Sequence, residues 1–520
     1  MNAAAAPRSF SASLSAMIGI CLVIMLIALD STVVGTAMPR IIAELQGYEL
    51  YTWTASAYLL TNAVMIPIMG RLGDLYGRKP FVIGSILLFT LASALCGLSQ
   101  SMLQLVLARG LQGIGGGMLT GVAFASVSDL FPDRIQRVRW QAMLSATFGI
   151  STAIGPSLGG WLTEHAGWRS VFYVNLPVAL LALPVIARYL PHIMHHKGSD
   201  KSIDWLGALL LAASISCLLL ATEHGQMHGF LQLQFIGLAL AALAGGALFI
   251  WHQQHSRAPI IPARLFANRA VRQLTALGAL TGLVMFVLIY YSPLLLQGGF
   301  DLSPKTAGLL LTPLLVLITV GSIINGRLIS QLRRPERLIA YGQIGLLAGC
   351  LLLIQMHADS PQFVGMFAFG VCGLALGFQL PNLTLQIQAV VERRDIGVAS
   401  ALIQTTRMLG SMVGTSLAAV IVNSSYSRHV SSLLAAHDLH DAALDKLLDT
   451  PQILVRVQDQ AALAELATRL HFAAQPLLDE IRVGLIKGVH HVYLGCAVVV
   501  LFAVMLALKL PHYDPHRSDK

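Results

Sequence analysis

Asp30 stands inside a long apolar run, in the segment Leu29-Asp-Ser-Thr-Val33. A carboxylate at the centre of a bilayer costs about 2.5–3.5 kcal/mol on insertion scales, so it faces a cavity, a partner or a transported ion. Out of water such a group can exchange protons near neutral pH, and protons and a cationic substrate then compete for it. That competition is the least machinery an antiporter needs. The plain alternative is a carboxylate near the membrane surface that ends a helix. Arg109 stands in another apolar run, Leu105-x-x-x-Arg109-x-x-Gln112-Gly113-x-Gly115-Gly116-Gly117. Its permanent charge needs a counter-ion or a wet cavity. It would tune the proton affinity of Asp30 or another carrier, or pair with backbone carbonyls at a glycine-rich crossing. Arg407 is a further intramembrane cation, unless it lies near a span end and snorkels. Glu223 reads as interfacial.

Two motifs concern the backbone. Gly70-Arg-Leu-Gly-Asp-Leu-Tyr-Gly-Arg-Lys79 packs Asp74, Gly77, Arg78 and Lys79 into one tight turn between apolar stretches. Gly155-Pro156-x-x-Gly159-Gly160 interrupts a span: proline removes a donor and kinks the helix, and the glycines let a neighbour come close. Two halves could rock at such a bend. No phosphate-binding glycine loop, no nucleophile elbow and no paired-carboxylate constellation is present, so ATP hydrolysis and enzyme catalysis lack apparatus. No cofactor is expected. Energy then comes from an ion gradient, whose electrical part supplies about 2.3 kcal/mol per charge per 100 mV. The six cysteines are scattered singly through apolar segments, without metal-ligand spacing.

These residues need elements to hold them, and the composition says which. Hydrophobic residues make up 55% of the chain and charged residues 11%, against roughly 25% charged in soluble domains. Apolar stretches of about 18–25 residues, each able to span ~30 Å as a helix, recur from Ala16–Thr36 to Val489–Leu510. The expected fold is therefore an all-α integral membrane protein with about fourteen transmembrane helices. Basic residues gather in the loops on one side, which predicts that side, and both termini, to be cytoplasmic. The net charge of +9 is then a topology signal and not a nucleic-acid footprint.

The chain also repeats itself. Gly110, Gly113 and Gly117 are echoed by Gly370, Gly373 and Gly377 at the same spacing, and the Gly70 turn has an echo beginning at Gly326. Two six-helix pseudo-repeat bundles would give this pattern. Residues 1–194 would form the first bundle, 195–258 an inserted helix pair with its linkers, and 259–520 the second bundle. Residues 424–488 form one long non-cytoplasmic loop, with leucines spaced as amphipathic helices demand. It reads as structural cover, with a periplasmic adaptor as a candidate partner.

Taken together, these residues resemble the 14-helix drug:proton antiporter branch of the major facilitator superfamily. The marks are Leu29-Asp-Ser-Thr-Val33, Trp53 with Ala57-Tyr58-Leu59, the Gly70–Lys79 turn, Arg109 with Gln112-Gly113, and Gly155-Pro156-x-x-Gly159-Gly160. Trp168-Arg169 with Phe172, Asn175 and Pro177 follows, then Pro293, Gln297 and Ser303-Pro304. The resemblance implies that Asp74 accepts hydrogen bonds at a helix N-terminus and that Arg78 pairs with Asp129, a latch holding the cytoplasmic side closed. It implies roles for Asp30 and Arg109 in proton coupling or substrate binding, and ties the Gly155-Pro156 stretch to antiport. Trp53, Tyr58, Phe286, Tyr290, Tyr291, Gln297 and Arg407 are candidates to line a cavity. There are departures: Gly35 stands where the branch usually has Asn, and Ser151 replaces a glycine. Because helices 9 to 14 offer no clear intramembrane carboxylate, monovalent, neutral or zwitterionic amphiphiles are favoured over multivalent cations. The function implied is proton-driven export of amphipathic drugs or toxic compounds across a bacterial inner membrane, by alternating access. A dedicated exporter of one metabolite, toxin or amino acid is the alternative. A non-transporting membrane receptor or scaffold is the reading from another class.

Overall fold

The computed structural model describes residues 10–46, 50–131, 133–193, 204–228, 232–329, 331–332, 334–436, 441–455, 457–470 and 472–511. The boundary drawn at 194 and 195 lies outside them. The described residues form fourteen long helices: α1 Phe10–Leu45, α2 Tyr51–Tyr76, α3 Arg78–Leu98, α4 Met102–Leu130, α5 Arg134–His165, α6 Ser170–Tyr189, α7 Trp205–His228, α8 Leu233–His255, α9 Arg269–Leu294, α10 Pro304–Leu328, α11 Arg337–Ile354, α12 Gln362–Ala389, α13 Ile396–Ala436 and α14 Ala474–Leu508. Helices are what a bilayer allows, because each satisfies its own backbone donors and acceptors. Eleven are apolar enough to cross a membrane on length and composition alone. The other three, α2, α4 and α5, carry the polar and glycine-rich motifs singled out above, and of those residues Asp74, Arg109, Gln112, Gly113, Gly117, Gly155 and Gly159 are buried against protein.

The side chains sort by environment. On α3, Leu87, Leu91, Leu95 and Leu98 are exposed at near-helical spacing, whereas Val82, Ile86, Phe89 and Cys96 are buried. In a membrane the first set meets lipid and the second meets neighbouring helices.

Packing repeats with an offset of eight helices. α1 packs on α5, α2 on α4, α3 on α4 and on α6; in the same way α9 packs on α13, α10 on α12, α11 on α12 and on α14. These are two six-helix bundles of one design. They meet through α5 against α10 and α12, and through α2 and α4 against α13. The inserted α7 and α8 pack on each other, with α7 also touching α2 and α13.

The segment between α13 and α14 is shorter than the sequence suggested, because both helices run on past the apolar core. α13 continues to Ala436 and α14 starts at Ala474. Between them lie short helices at Ala442–Leu447, Pro451–Leu454 and Val457–Leu470. Leu444, Leu448, Ile453, Leu454 and Leu463 are buried in one cluster with Leu295, Tyr426, Leu434 and Leu485. The segment caps its own bundle.

Candidate functional site

Asp30 is reached from two helices, α4 and α6. Its Oδ2 accepts from Arg109 Nη1 at 2.7 Å. Its Oδ1 accepts from Gln112 Nε2 at 2.8 Å and from Asn175 Nδ2 at 3.2 Å. Ser93 on α3 sits behind, accepting from Gln112 at 3.2 Å and from Asn175 at 2.9 Å. Arg109 also donates to Gln112 Oε1 at 2.8 Å and to the Thr54 carbonyl at 3.3 Å, and its guanidinium lies 4.3 Å from the Tyr58 ring centre. Asp30 is 1% exposed and Arg109 4%. Of the three options for a mid-span carboxylate, a partner is the one found. Asp30 is twenty residues into α1, about 30 Å from its first residue at 1.5 Å per residue, and α1 runs on beyond it to Leu45. The pair is held inside the first bundle and does not line an open surface. Ser31 and Gly35, next along α1, are exposed.

The glycines of α5 seat against α1 just beyond this pair. A Cβ at Gly155 would collide with Thr32 Oγ1, and one at Gly159 would lie 2.7 Å from the Val33 carbonyl oxygen. Gly160 has nothing within 4 Å and Pro156 is exposed, inside a helix that continues to His165.

A second cluster lies at the end of the bundle where the loops are basic. Gly77 has φ +86 between α2 and α3, a conformation that favours glycine. The turn brings Arg78 back so that its Nη2 donates to Asp74 Oδ1 at 2.9 Å while its Nη1 donates to Asp129 Oδ1 at 2.6 Å and to the Ala125 carbonyl at 2.7 Å. Both oxygens of Asp74 also accept backbone N–H groups at the start of α13, from Gly397 at 3.0 Å and Val398 at 2.9 Å. A carboxylate is favoured there by the free N–H groups and the helix dipole. Gly70 allows the approach: a Cβ would lie 2.9 Å from the Gly397 carbonyl oxygen. Lys79 is half-buried. Gln388 on α12 adds a link between bundles, donating to the Phe124 carbonyl at 3.4 Å and to Ser400 Oγ at 2.8 Å.

The remaining candidates are dispersed. Tyr58 joins the Arg109 site and is 4% exposed, whereas Trp53 is 39% exposed. Phe286 and Tyr290 stack at 6.0 Å. Tyr291 donates to the Thr415 carbonyl at 3.0 Å, tying α9 to α13. Gln297 lies half-buried in a π-helical turn, Leu295–Gly299, that extends α9 after Pro293. Arg407 is half-buried in α13. Sequence reasoning missed a neutral network in the second bundle, in which Gln343 Nε2 and Thr281 Oγ1 both donate to Gln379 Oε1 at 2.9 Å. Three polar side chains in three apolar spans were the signal for it. A groove of about 740 Å³ also opens between α5 and α10, lined by Ala142, Met143, Ala146 and Ile150 with Arg139 and Arg327.

Charged pairs buried within one of two repeated six-helix bundles point to one family of proteins, and comparison decides the matter. The family model of the Major Facilitator Superfamily matches residues 20–415. The chain belongs to the Major Facilitator Superfamily. Among its members, this transporter is 31% identical over 505 residues to the multidrug transporter protein MdtP of Bacillus subtilis, covering 95% of this chain and 92% of the relative. It is 33% identical over 403 residues to multidrug resistance protein 3 of the same organism, covering 77% and 78%. Among solved structures, the human organic anion transporter MFSD10 superposes with a TM-score of 0.63, covering 95% of this chain and 99% of that one. At 13% identity that likeness concerns the fold alone. A transporter of this superfamily works in a lipid bilayer on small molecules and is not an enzyme.

Proposed function

We propose that this transporter is a proton-coupled antiporter that exports amphipathic compounds by alternating access. Its basic end faces the cytoplasm of a bacterium, both termini lie on that side, and the protein sits in the inner membrane. Residues 1–194 and 259–520 are the two moving bodies, with 195–258 inserted between them. The names of the two Bacillus relatives support export of drugs. The observation that carries the coupling is the buried Asp30–Arg109 pair. One carboxylate collects donors from α4 and α6, so a proton on Asp30 removes the charge that gathers those helices around α1. A protein in a low-dielectric interior responds strongly to such a change.

Asp74 supports the alternating step. It joins the first bundle to the start of α13 at the basic end, which holds that end shut, while Ser31 and Gly35 are exposed beyond Asp30. The arrangement is that of a carrier closed to the cytoplasm. The segment capping α13 and α14 then lies on the periplasmic side, where an adaptor would make contact.

The test is proton release from inverted membrane vesicles on adding lipophilic compounds, for the wild type and for Asp30→Asn. Release in the wild type that disappears in the variant supports the reading. Substrate-driven release that survives in the variant moves the coupling site away from Asp30.

A further inference from the structure

The second bundle holds a cation that nothing balances among the described residues. Arg407 lies eleven residues into α13, about 16 Å from its first residue at 1.5 Å per residue and so near the middle of a ~30 Å hydrocarbon layer. That is too deep for its stem to carry the charge to the basic surface. Among the described residues its guanidinium forms no hydrogen bond and no ion pair, although the side chain is half-buried. Helices α9 to α13 contain no aspartate or glutamate at all. The intramembrane carboxylate of the first bundle, Asp30, is already taken by Arg109.

Arg407 is not alone. Gln404, one turn earlier, is 3% exposed, and both its Oε1 and Nε2 are without a hydrogen-bond partner. Residues three apart on a helix are neighbours on its surface, so amide and guanidinium share a face. Thr405 Oγ1, 4% exposed, is also unpartnered. Native folds rarely leave buried polar groups unmatched unless water or a ligand supplies the partner. The backbone makes room here as well: Gly282 of α9 lies so close that a Cβ would be 2.8 Å from Arg407 Cγ. α13 is also the helix that packs on the first bundle, through α2 and α4.

We infer that Arg407 and Gln404 form the recognition point for a negatively charged or zwitterionic group on the transported amphiphile. A guanidinium and an amide together offer convergent donors to a carboxylate-like or phosphate-like head, and an intramembrane cation without a protein counter-ion rejects lipophilic cations by simple repulsion.

This inference rests on the export reading, and its test separates the two. Gradient-driven uptake into inverted vesicles is measured for three dyes on one scaffold: dansylglycine (anion), dansylamide (neutral) and a dansyl trimethylammonium (cation). Wild type is expected to take up dansylglycine at least tenfold faster than the cation. Arg407→Gln is expected to cut dansylglycine uptake about tenfold while dansylamide uptake holds, and Arg407→Lys to keep the anion-to-neutral ratio within about threefold. Uptake of the cation in preference to the anion, or an unchanged ratio in Arg407→Gln, overturns the inference and leaves export standing. Uptake of none of the three by the wild type removes both. If Arg407→Gln loses all uptake through misfolding, competition in the wild type decides: dansylglycine must suppress dansylamide uptake, and failure to do so overturns the assignment.

Discussion

The carboxylate of Asp74, at the end of α2, accepts the backbone N–H of Gly397 at 3.0 Å across 323 residues of chain. Its other oxygen takes Val398 N–H at 2.9 Å. One side chain thus fastens the first bundle to the first turn of a helix of the second. Only two backbone donors at a helix start are involved in this link. Asp74→Ala is expected to loosen the basic end. A cysteine placed at Ser400, which is 1% exposed, should then react with a soluble maleimide about tenfold faster than in the Asp74 parent. Unchanged labelling would show that other contacts, such as Gln388 to Phe124, hold that end closed.

Removing one partner of a buried ion pair costs about 3–5 kcal/mol because the other charge is stranded. Asp30→Ala is therefore expected to lower the thermal stability of the purified transporter. The double variant Asp30→Ala/Arg109→Leu should recover most of that loss, since no unpaired charge is left. Substrate-driven proton release should be absent in both. Recovery of stability without recovery of coupling separates a functional pair from a purely structural one, and a double variant that still couples protons would exclude Asp30.

Most helices were legible because they are apolar for about twenty residues, and the two lone opposite charges, Asp30 and Arg109, each announced a need that the other meets. The packing of α2, α4 and α5 was legible from their glycines. The rest was hidden for physical reasons. The extensions of α13 and α14 are amphipathic, so they read as separate helices of a loop and not as continuations of the spans; burial of Tyr426, Leu434 and Leu485 against the cap supports the continuous helices. The gathering of Ser93, Gln112 and Asn175 around Asp30 depends on how α3, α4 and α6 are rotated, which periodicity in nearly all-apolar spans does not reveal. Gln404 looked like any glutamine in a helix, and only its lack of a partner marks it.

Close approach of α5 to α1 makes a prediction with its own control. A Cβ at Gly155 collides with Thr32 Oγ1, whereas one at Gly160 meets nothing within 4 Å. Overpacking costs about 1–3 kcal/mol, so Gly155→Ala should reduce thermal stability and export together, and adding Thr32→Ala should restore part of both. Gly160→Ala should match wild type in each. Equal effects at the two positions would mean that the motif acts through backbone flexibility and not through the α1–α5 contact.

The segment between α13 and α14 invites a choice between cover and docking surface. Leu454 is 2% exposed, and a Cβ on Gly298, at the end of α9, would sit 3.3 Å from it. Large-to-small changes at such sites cost about 2–5 kcal/mol, so Leu454→Ala should destabilise the purified transporter. Glu465, on the outer face of Val457–Leu470, is exposed, and Glu465→Lys should leave stability within about 0.5 kcal/mol. If the segment is cover only, Glu465→Lys exports normally both in intact cells and in vesicles. Export lost in cells but kept in vesicles would instead show a partner gripping that face, because the transport machinery itself is intact in both preparations.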